Sequence, residues 1–542
     1  MLSSLATPFT TRRPPPLASL LPLLPLLPLA AALTLRPLRR RAPVLSAALA
    51  AALSSDASLR LPLAIASRLV PLAGPGLKGL SAVLLKLAAV THWPDDVTEW
   101  LCARLRATRQ PHVCAYTERV LCDGMVLKCD EFDGIHMLRA PRPHPHVWNL
   151  RRTDAPLPIF GAGQCHLEGL LHVARHLKEM GFERVLWFNM REEPVVFLNG
   201  YACAPRVASA LNENVDFLLA IEGHELDGIE RRLRDDCLEE DMEEGGLSIY
   251  FEEEMKNVLK PWPLHGHALS VREAYEWLNK QPRVPAVQYV RIPIADEAAP
   301  EEKDFDQLVS EIGAVALACA APAGGSPSCA LLFNCHMGRG RTTTGMVCGS
   351  ILMEAARGWT PQGADASYSL PAPTALRRDL TRGEYTSILH LLEVVDKAVV
   401  PSAAHAGARD PRDRRGQRMT LGASAKLLVD RCAASCAHTQ HLVAAVAKCS
   451  RLAEAAEADP AQGPTRAAFW RHRALKYLER YAVVLLFAAY ALLAAGDGFE
   501  VTFSEWTHRH WQFKRALRDL TVESSTAYSF IVKHEKDRRS LV

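Results

Sequence analysis

The sequence predicts an α/β domain with a central, mainly parallel sheet flanked by helices, followed by an all-α region. Apolar runs of strand length alternate with helical patterns between residues 122 and 358. Parallel strands need such crossovers, because each helix carries the chain back to the edge where the next strand starts. Residues 419–542 are expected to be helical.

The predicted strands are short apolar runs bounded by loops. Glu183–Met190, "ERVLWFNM", is apolar almost throughout, as expected for a strand buried on both faces. The other predicted strands are, in chain order, Cys122–Phe132, Leu247–Phe251, Ala286–Ile294 and Cys329–Phe333.

The predicted helices have apolar residues at helical spacing. Cys165–Met180 has this pattern and is followed by Gly181, a typical stop. Tyr481–Ala495 is apolar over 15 residues, short of the ~20 that span a bilayer, and is interpreted as a buried helix. The other predicted helices are Leu226–Gly246, Val271–Asn279, Lys303–Ala320 and Thr342–Gly358.

Composition limits the class of protein. A chain of 542 residues exceeds what one core usually supports. A net charge of +3 argues against nucleic acid as a partner. The 14 cysteines are scattered without a C-x-x-C pair, so we expect reduced thiols in the cytoplasm and neither a disulfide framework nor a metal site.

Residues 1–118 are expected to form a low-complexity, largely disordered leader rich in Ala, Leu, Pro and Arg. Met1–Ser55 contains no acidic residue, which is typical of an organelle-targeting segment. Leu17–Leu35 is apolar enough for a membrane anchor, although its three prolines oppose a helix.

A chemically distinctive motif, "FNCHMGRGRTTTG", occupies residues 333–345 between a predicted strand and a predicted helix. Glycines at 338 and 340 allow the backbone to curl with its N–H groups inward, next to a helix N-terminus, which makes an anion cradle. Cys335 at its edge is then a nucleophile, and Arg341 can hold two oxygens of a tetrahedral anion. Thr342 can hydrogen-bond the sulfur. The pattern of Cys, five residues, Arg and Thr is the signature loop of cysteine-dependent phosphatases.

The predicted cradle is formed by residues 336–340. Its side chains and backbone are assigned to substrate binding, with no metal and no cofactor, and its members are His336, Met337, Gly338, Arg339 and Gly340.

A phosphatase of this kind also needs an acid for the leaving oxygen. Asp296 follows a predicted strand one strand–helix unit before the loop and is the candidate, with a helix-capping or surface role as the alternative. The letters "WPD" at Trp93–Asp95 lie far upstream and are interpreted as a helix start.

These motifs resemble the paladins, proteins with phosphatase-like repeats related to cysteine phytases that dephosphorylate inositol hexakisphosphate. The resemblance covers about residues 119–520, and its segments are Val185–Gly200, Tyr289–Asp306, Asn334–Met346, Arg382–Ala398, Leu427–Ala433 and Ala474–Ala491. It implies a cysteine-phosphatase-like domain at 119–400 and a helical region at 419–542. Between them, residues 401–418 are interpreted as a basic linker, because 402–418 has no apolar pattern. It also implies that Cys335 is the nucleophile, Arg341 the phosphate clamp and Asp296 the general acid. Asn334 departs from the His that many such enzymes place before the cysteine.

Three functions follow as alternatives. His336, Arg339 and Arg341 could give the cradle three positive side chains, which suits an inositol phosphate or a phosphoinositide headgroup. A phosphoprotein substrate is the second alternative, and an inactive pseudophosphatase that binds a phosphorylated partner is the third. A peripheral membrane contact through 402–418 is left open.

Overall fold

The structure is a computed structural model and describes most of the chain after residue 119. The described residues are 120–121, 125–131, 145–212, 214, 221–244, 246–254, 256–264, 266–320, 328–375, 378–399, 419–436, 442–458, 463–523 and 529–530. The predicted leader at 1–118, with its Trp93–Asp95 motif, and the predicted linker at 401–418 lie outside these residues.

Five strands form the central sheet, and their spatial order differs from their chain order. The strands are β2 (Arg151–Arg152), β3 (Ile159–Ala162), β4 (Arg184–Arg191), β10 (Ala286–Ile294) and β11 (Cys329–Asn334). The order across the sheet is β10-β4-β11-β3-β2, with parallel pairing throughout except at β2. The mainly parallel central sheet is confirmed.

Alternate side chains of the central strands supply two separate cores, because successive residues of a strand point to opposite faces. In β4, Leu186 and Phe188 face one core, while Val185 and Trp187 face the other. Each fully buried side chain of this size contributes about 1.5–3 kcal/mol to stability. The unbroken apolar run at this position therefore reflects burial on both faces.

Helices cover both faces of the central sheet. One face is covered by α1 (Leu167–Glu179) and α3 (Val271–Asn279), and the other by α4 (Glu302–Ala320) and α5 (Gly340–Ala356). The predicted helix at Val271–Asn279 has the predicted ends. It starts at a capping box in which Ser270 and Glu273 bond to each other's backbone N–H groups.

A second sheet, which the sequence analysis did not predict, lies beside the first. Its strands are β1 (Met125–Cys129), β5 (Val196–Leu198), β6 (Tyr201–Val207), β7 (Leu247–Glu253), β8 (Lys256–Trp262) and β9 (Ala268–Ser270), and α2 (Gly223–Glu244) packs against it. The order is β8-β7-β1-β6-β5-β9, and only β1 and β7 pair in parallel. The predicted strands at 122–132 and 247–251 therefore belong to this sheet and not to the central one.

The C-terminal region is mostly helical. Its elements are α6 (Thr386–Val399), α7 (Leu421–Ser435), α8 (Leu442–Ala458), α9 (Gly463–Ala494), α10 (Phe503–Arg509), α11 (Gln512–Arg518) and a short hairpin of β12 (Val522–Glu523) and β13 (Ser529–Phe530). These helices share one apolar core with α4 and α5. The stretch 466–497 is long and apolar enough to cross a membrane, and 67% of its most apolar window is buried within the protein, in agreement with the predicted buried helix.

Candidate active site

The loop between β11 and α5 turns sharply at Gly338. This residue adopts φ +72°, in the left-handed region that glycine tolerates best. A Cβ at this position would lie 2.4 Å from the backbone nitrogen of Gly163 and 2.5 Å from the carbonyl carbon of Ala162. Only glycine therefore lets the loop approach the end of β3 so closely.

The carbonyl oxygens of the loop accept hydrogen bonds from residues 149–164, the segment around β2 and β3. The pairs are His336 O with Gln164 N at 2.8 Å, Met337 O with Asn149 Nδ2 at 2.7 Å, and Gly338 O with Arg151 Nη1 at 2.7 Å. A trans peptide holds its N–H opposite its C=O, so the amides of residues 337–339 turn towards the centre of the loop. Inward amides next to the start of α5 form an anion cradle.

Cys335 begins this loop, directly after β11. Its side chain is buried, and its Sγ accepts a hydrogen bond from Oγ1 of Thr342 at 3.1 Å. Thr342 lies in the first turn of α5, whose N-terminal end favours nearby negative charge. A sulfur anion at this position is therefore stabilised by a hydroxyl donor and by a helix terminus.

Arg341 is held by a buried carboxylate. Its Nη1 donates to Oε1 and Oε2 of Glu193 at 2.9 and 3.1 Å, and to the carbonyl of Ile294 at 2.9 Å. Burial disfavours the charged form of Glu193, but Arg341 and Arg191 outweigh burial and lower its pKa to about 2. Among the described residues none accepts a hydrogen bond from the buried Nε of Arg341. Oδ1 of Asp296 lies 3.5 Å from this nitrogen, too far for a hydrogen bond, so a bound anion could accept from it.

His336 contacts a second buried carboxylate. Its Nε2 lies 2.9 Å from Oδ1 of Asp130. The other oxygen of this carboxylate, Oδ2, accepts a hydrogen bond from Nη1 of Arg191 at 2.6 Å. Burial opposes ionisation of Asp130, yet Arg191 and His336 hold its pKa well below the usual range. Burial also lowers the pKa of His336, although Asp130 opposes this shift. The sequence analysis predicted that a positively charged His336 could bind the substrate. In the structure its ring contacts Asp130 instead, and burial favours the neutral form of the ring.

The other predicted cradle residues lie along the loop. Met337, Arg339 and Gly340 are half-buried, and Arg339 immediately precedes α5. Their backbone groups belong to the cradle described above.

Asp296 lies two residues after β10, across from Arg341. Its side chain is 48% exposed, and its Oδ1 lies 3.5 Å from Nε of Arg341. Its Oδ2 accepts a hydrogen bond from Nδ2 of Asn214 at 3.1 Å. The structure thus brings the proposed acid to the mouth of the cradle.

Helix α9 contributes two arginines that the sequence analysis did not single out. Arg480 is buried and donates from Nε and Nη2 to the carbonyl of Ala298, at 3.0 and 2.7 Å. It also interacts electrostatically with Asp296, Arg341 and Cys335. Arg473, seven residues earlier on the same face of the helix, pairs with Glu297. The spacing of Arg473 and Arg480 places them on one face of the helix, but no feature of the sequence indicated that this face contacts the loop at residues 297 and 298.

Arg151 is a further missed residue. Besides Gly338, its guanidinium donates to Oγ1 of Thr343 at 3.0 Å, so it links the loop to the first turn of α5. Burial lowers its pKa to about 10, and the nearby Cys335 opposes this shift. The two-residue strand that carries it gave no pattern in the sequence.

One group of side chains has the composition of a metal site. Nε2 of His166 lies 3.9 Å from Sγ of Cys129 and 3.7 Å from Oε1 of Glu131. However, Nδ1 of His166 accepts the backbone N–H of Ala202 at 2.9 Å. A neutral ring then carries its proton on Nε2, the atom that a metal would need, so this group does not fit a metal ion.

Comparisons with known proteins place the site in a family context. Residues 188–353 match the model of the PTP-like phytase family, and the description of that family reads "Inositol hexakisphosphate". Paladin of Homo sapiens is 28% identical over 383 residues, covering 68% of this chain and 40% of that protein, and paladin of Gallus gallus is 26% identical, covering 68% and 39%. The chain thus spans about two fifths of the length of these relatives. These matches confirm the resemblance that the motifs indicated.

Two solved structures are also similar. A PTP-like phytase from Bdellovibrio bacteriovorus has a TM-score of 0.35 at 15% identity, covering 72% of this chain and 98% of that one. The PTP-like myo-inositol phosphatase from Mitsuokella multacida, in complex with myo-inositol-(1,3,4,5)-tetrakisphosphate, has a TM-score of 0.38 at 14% identity, covering 77% and 58%.

Proposed function

We propose that this chain, which is similar to the paladins and contains a region matching the PTP-like phytases, hydrolyses phosphate monoesters of inositol phosphates or phosphoinositide headgroups. The observation that carries the proposal is the convergence of three groups on one loop. Cys335 accepts a hydrogen bond from Thr342, Arg341 keeps a donor for an anion, and Asp296 lies at the mouth.

In the first step the Cys335 thiolate attacks phosphorus and forms a sulfur–phosphorus bond. The bond from phosphorus to the ester oxygen breaks, and the leaving oxygen takes a proton from the carboxylic acid of Asp296. The inward amides of residues 337–339 and the guanidinium of Arg341 stabilise the equatorial oxygens as charge develops on them. Glu193 fixes the direction of that guanidinium from behind.

In the second step water attacks the phosphorus of the cysteinyl phosphate. The Asp296 carboxylate takes a proton from the water, and the sulfur–phosphorus bond breaks. The sulfur leaves as a thiolate, and the hydroxyl of Thr342 donates a hydrogen bond to it. Inorganic phosphate is released and both side chains return to their starting protonation states.

The substrate class is inferred from the charges around the mouth. Arg473, Tyr477 and Arg480 share one face of α9, and the two arginines contact the loop that carries Asp296. With Arg341, which lies 3.5 Å from Asp296, they bring positive charge to the loop that carries the proposed acid. A ring with several phosphates could use these charges at once, whereas one phosphotyrosine could not. The description of the matching family, inositol hexakisphosphate, supports the same class.

A specific observation also favours the pseudophosphatase alternative. Glu193 already occupies Nη1 of Arg341, so the clamp offers a bound phosphate fewer donors than a fully available guanidinium. In that alternative the same cradle binds a phosphorylated partner without turnover.

The test measures phosphate release by the full chain from inositol hexakisphosphate, phosphoinositides and phosphotyrosine peptides. Cys335→Ser is compared with Cys348→Ser, which removes a buried thiol within α5, outside the loop. We expect release from the polyphosphorylated rings, lost only in Cys335→Ser. Preference for the peptides would favour a protein substrate, and binding without release by all three proteins would establish a pseudophosphatase.

A further inference from the structure

Helix α11 and Trp511, the residue directly before it, present a stripe of side chains to solvent. Trp511, Arg515 and Arg518 are all exposed, and their spacing of four and three residues places them on one side of the helix. Trp511 is 62% exposed, while the other tryptophans among the described residues are buried or half-buried. We call Trp511, Arg515 and Arg518 the tryptophan stripe.

The opposite side of α11 accounts for the stability of the helix without the stripe. Phe513, Ala516 and Leu520 are buried in the core shared by the C-terminal helices. The ring of Phe513 packs against that of Trp506 at 4.9 Å. Because the fold does not need Trp511 for packing, its indole is available for an external contact.

Cations predominate in the segment around the stripe, although Glu302 of α4 pairs with Lys514. Residues 506–518 contain Arg509, Lys514, Arg515 and Arg518 and no acidic residue, with Glu505 and Asp519 directly outside. An exposed indole among cations is the composition that binds the interface of an anionic bilayer. The ring inserts at headgroup level while the guanidinium groups attract the negative surface.

The two helices next to the stripe contact the start of α4. Glu302, the first residue of α4, accepts hydrogen bonds from Thr507 at 2.8 Å and from Lys514 at 3.3 Å. It follows Asp296 by six residues, after the strand end that carries the acid. Both α10 and α11 are thus anchored at the carboxyl edge of the central sheet, where Cys335 lies.

We propose that the tryptophan stripe docks on an anionic lipid bilayer and brings the cradle to phosphorylated headgroups at its surface. The docking itself depends only on the stripe, and the delivery of headgroups rests on the proposed function. Soluble inositol phosphates would reach the cradle without it.

The test measures binding of the full chain to phosphatidylcholine vesicles with and without phosphatidylserine. We expect binding only to the anionic vesicles, weakened more than about tenfold by the double variant Arg515→Glu with Arg518→Glu, since each cation near such a surface contributes appreciably. The matched control is Arg231→Glu with Lys280→Glu, which reverses two exposed cations on other elements and should bind like wild type. Equal binding by both double variants, or no binding by wild type, overturns the proposal.

A second measurement locates the contact. Brominated phosphatidylcholine in the anionic vesicles should quench a fraction of the tryptophan fluorescence, and Trp511→Phe should lose that fraction. Undiminished quenching in Trp511→Phe would show that another part of the chain inserts. Release of phosphate from soluble inositol hexakisphosphate by the stripe variants reports separately on the proposed function, so either proposal can fail alone.

Discussion

Nη1 of Arg341 donates to both carboxylate oxygens of Glu193, at 2.9 and 3.1 Å, and both side chains are buried. Removing one partner of such a pair leaves the other charge buried without compensation, which typically costs about 3–5 kcal/mol. The pair therefore holds the guanidinium in one direction and makes the loop depend on a carboxylate that is distant in sequence.

This relationship predicts how stability changes with acid. The folded pKa of Glu193 is about 2, below its ordinary 4.5, so its contribution is complete above pH 4.5 and is lost as the pH falls towards 2. The shift of roughly 2.5 units corresponds to about 3 kcal/mol in the free energy of unfolding. Urea unfolding of wild type and Glu193→Gln should show a stability difference that changes by this amount between pH 5 and pH 2. A difference that does not change with pH would contradict the assignment.

The hydrogen bond from Thr342 to Cys335 predicts a defect in the second chemical step. A hydrogen bond to a charged group contributes about 1.5–3 kcal/mol, so Thr342→Ala should lower kcat roughly 10- to 100-fold. Because the sulfur leaves in the hydrolysis of the cysteinyl phosphate, a rapid burst of alcohol release should precede a slow steady state. Thr342→Ser keeps the hydroxyl and should show neither change. Loss of activity without a burst would place the role of the hydroxyl in the first step.

The position of Asp296 predicts an effect that depends on the leaving group. Asp296→Asn should lower kcat for an alkyl phosphate by about 10²–10⁴-fold, the usual contribution of a general acid. With p-nitrophenyl phosphate the leaving oxygen needs little protonation, so the loss in the first step should be much smaller. Glu301→Gln removes an exposed carboxylate at the other end of the same loop and serves as the control. Equal losses in the rate of the first step for both substrates would assign Asp296 a binding role.

Local sequence patterns predicted the parts of the site that are local in the chain. Cys335, Arg341 and Thr342 lie within eight residues where β11 leads into α5, so their chemistry could be inferred together. Glu193 lies 148 residues from Arg341 and meets it only through the pairing of β4 with β11. The sequence contained the carboxylate but no indication of its partner.

The second sheet was missed for a related reason. β5 has three residues, and β8 mixes Lys and Asn with apolar residues and has no buried side chain, so neither gives an apolar run or a clear alternation. In contrast, β10 was predicted with both ends correct because its nine residues are mainly apolar or β-branched and are bounded by loops. A long strand buried on both faces leaves a pattern in the sequence, whereas a three-residue strand such as β5 or an edge strand such as β8 leaves little.

The turn of the loop predicts different outcomes for two glycines with the same backbone conformation. Gly338 and Gly358 both adopt φ +72°, but a Cβ at Gly338 would lie 2.4 Å from the Gly163 nitrogen, whereas one at Gly358 meets no atom within 4 Å. Gly358→Ala should therefore cost only the left-handed strain, about 1–2 kcal/mol. Gly338→Ala adds overpacking of about 1–3 kcal/mol and displaces the inward amides. Urea unfolding gives both costs, and titration with inorganic phosphate should show binding retained in Gly358→Ala and lost in Gly338→Ala. Equal phosphate affinity in the two variants would mean that the amides of residues 337–339 do not form the anion site.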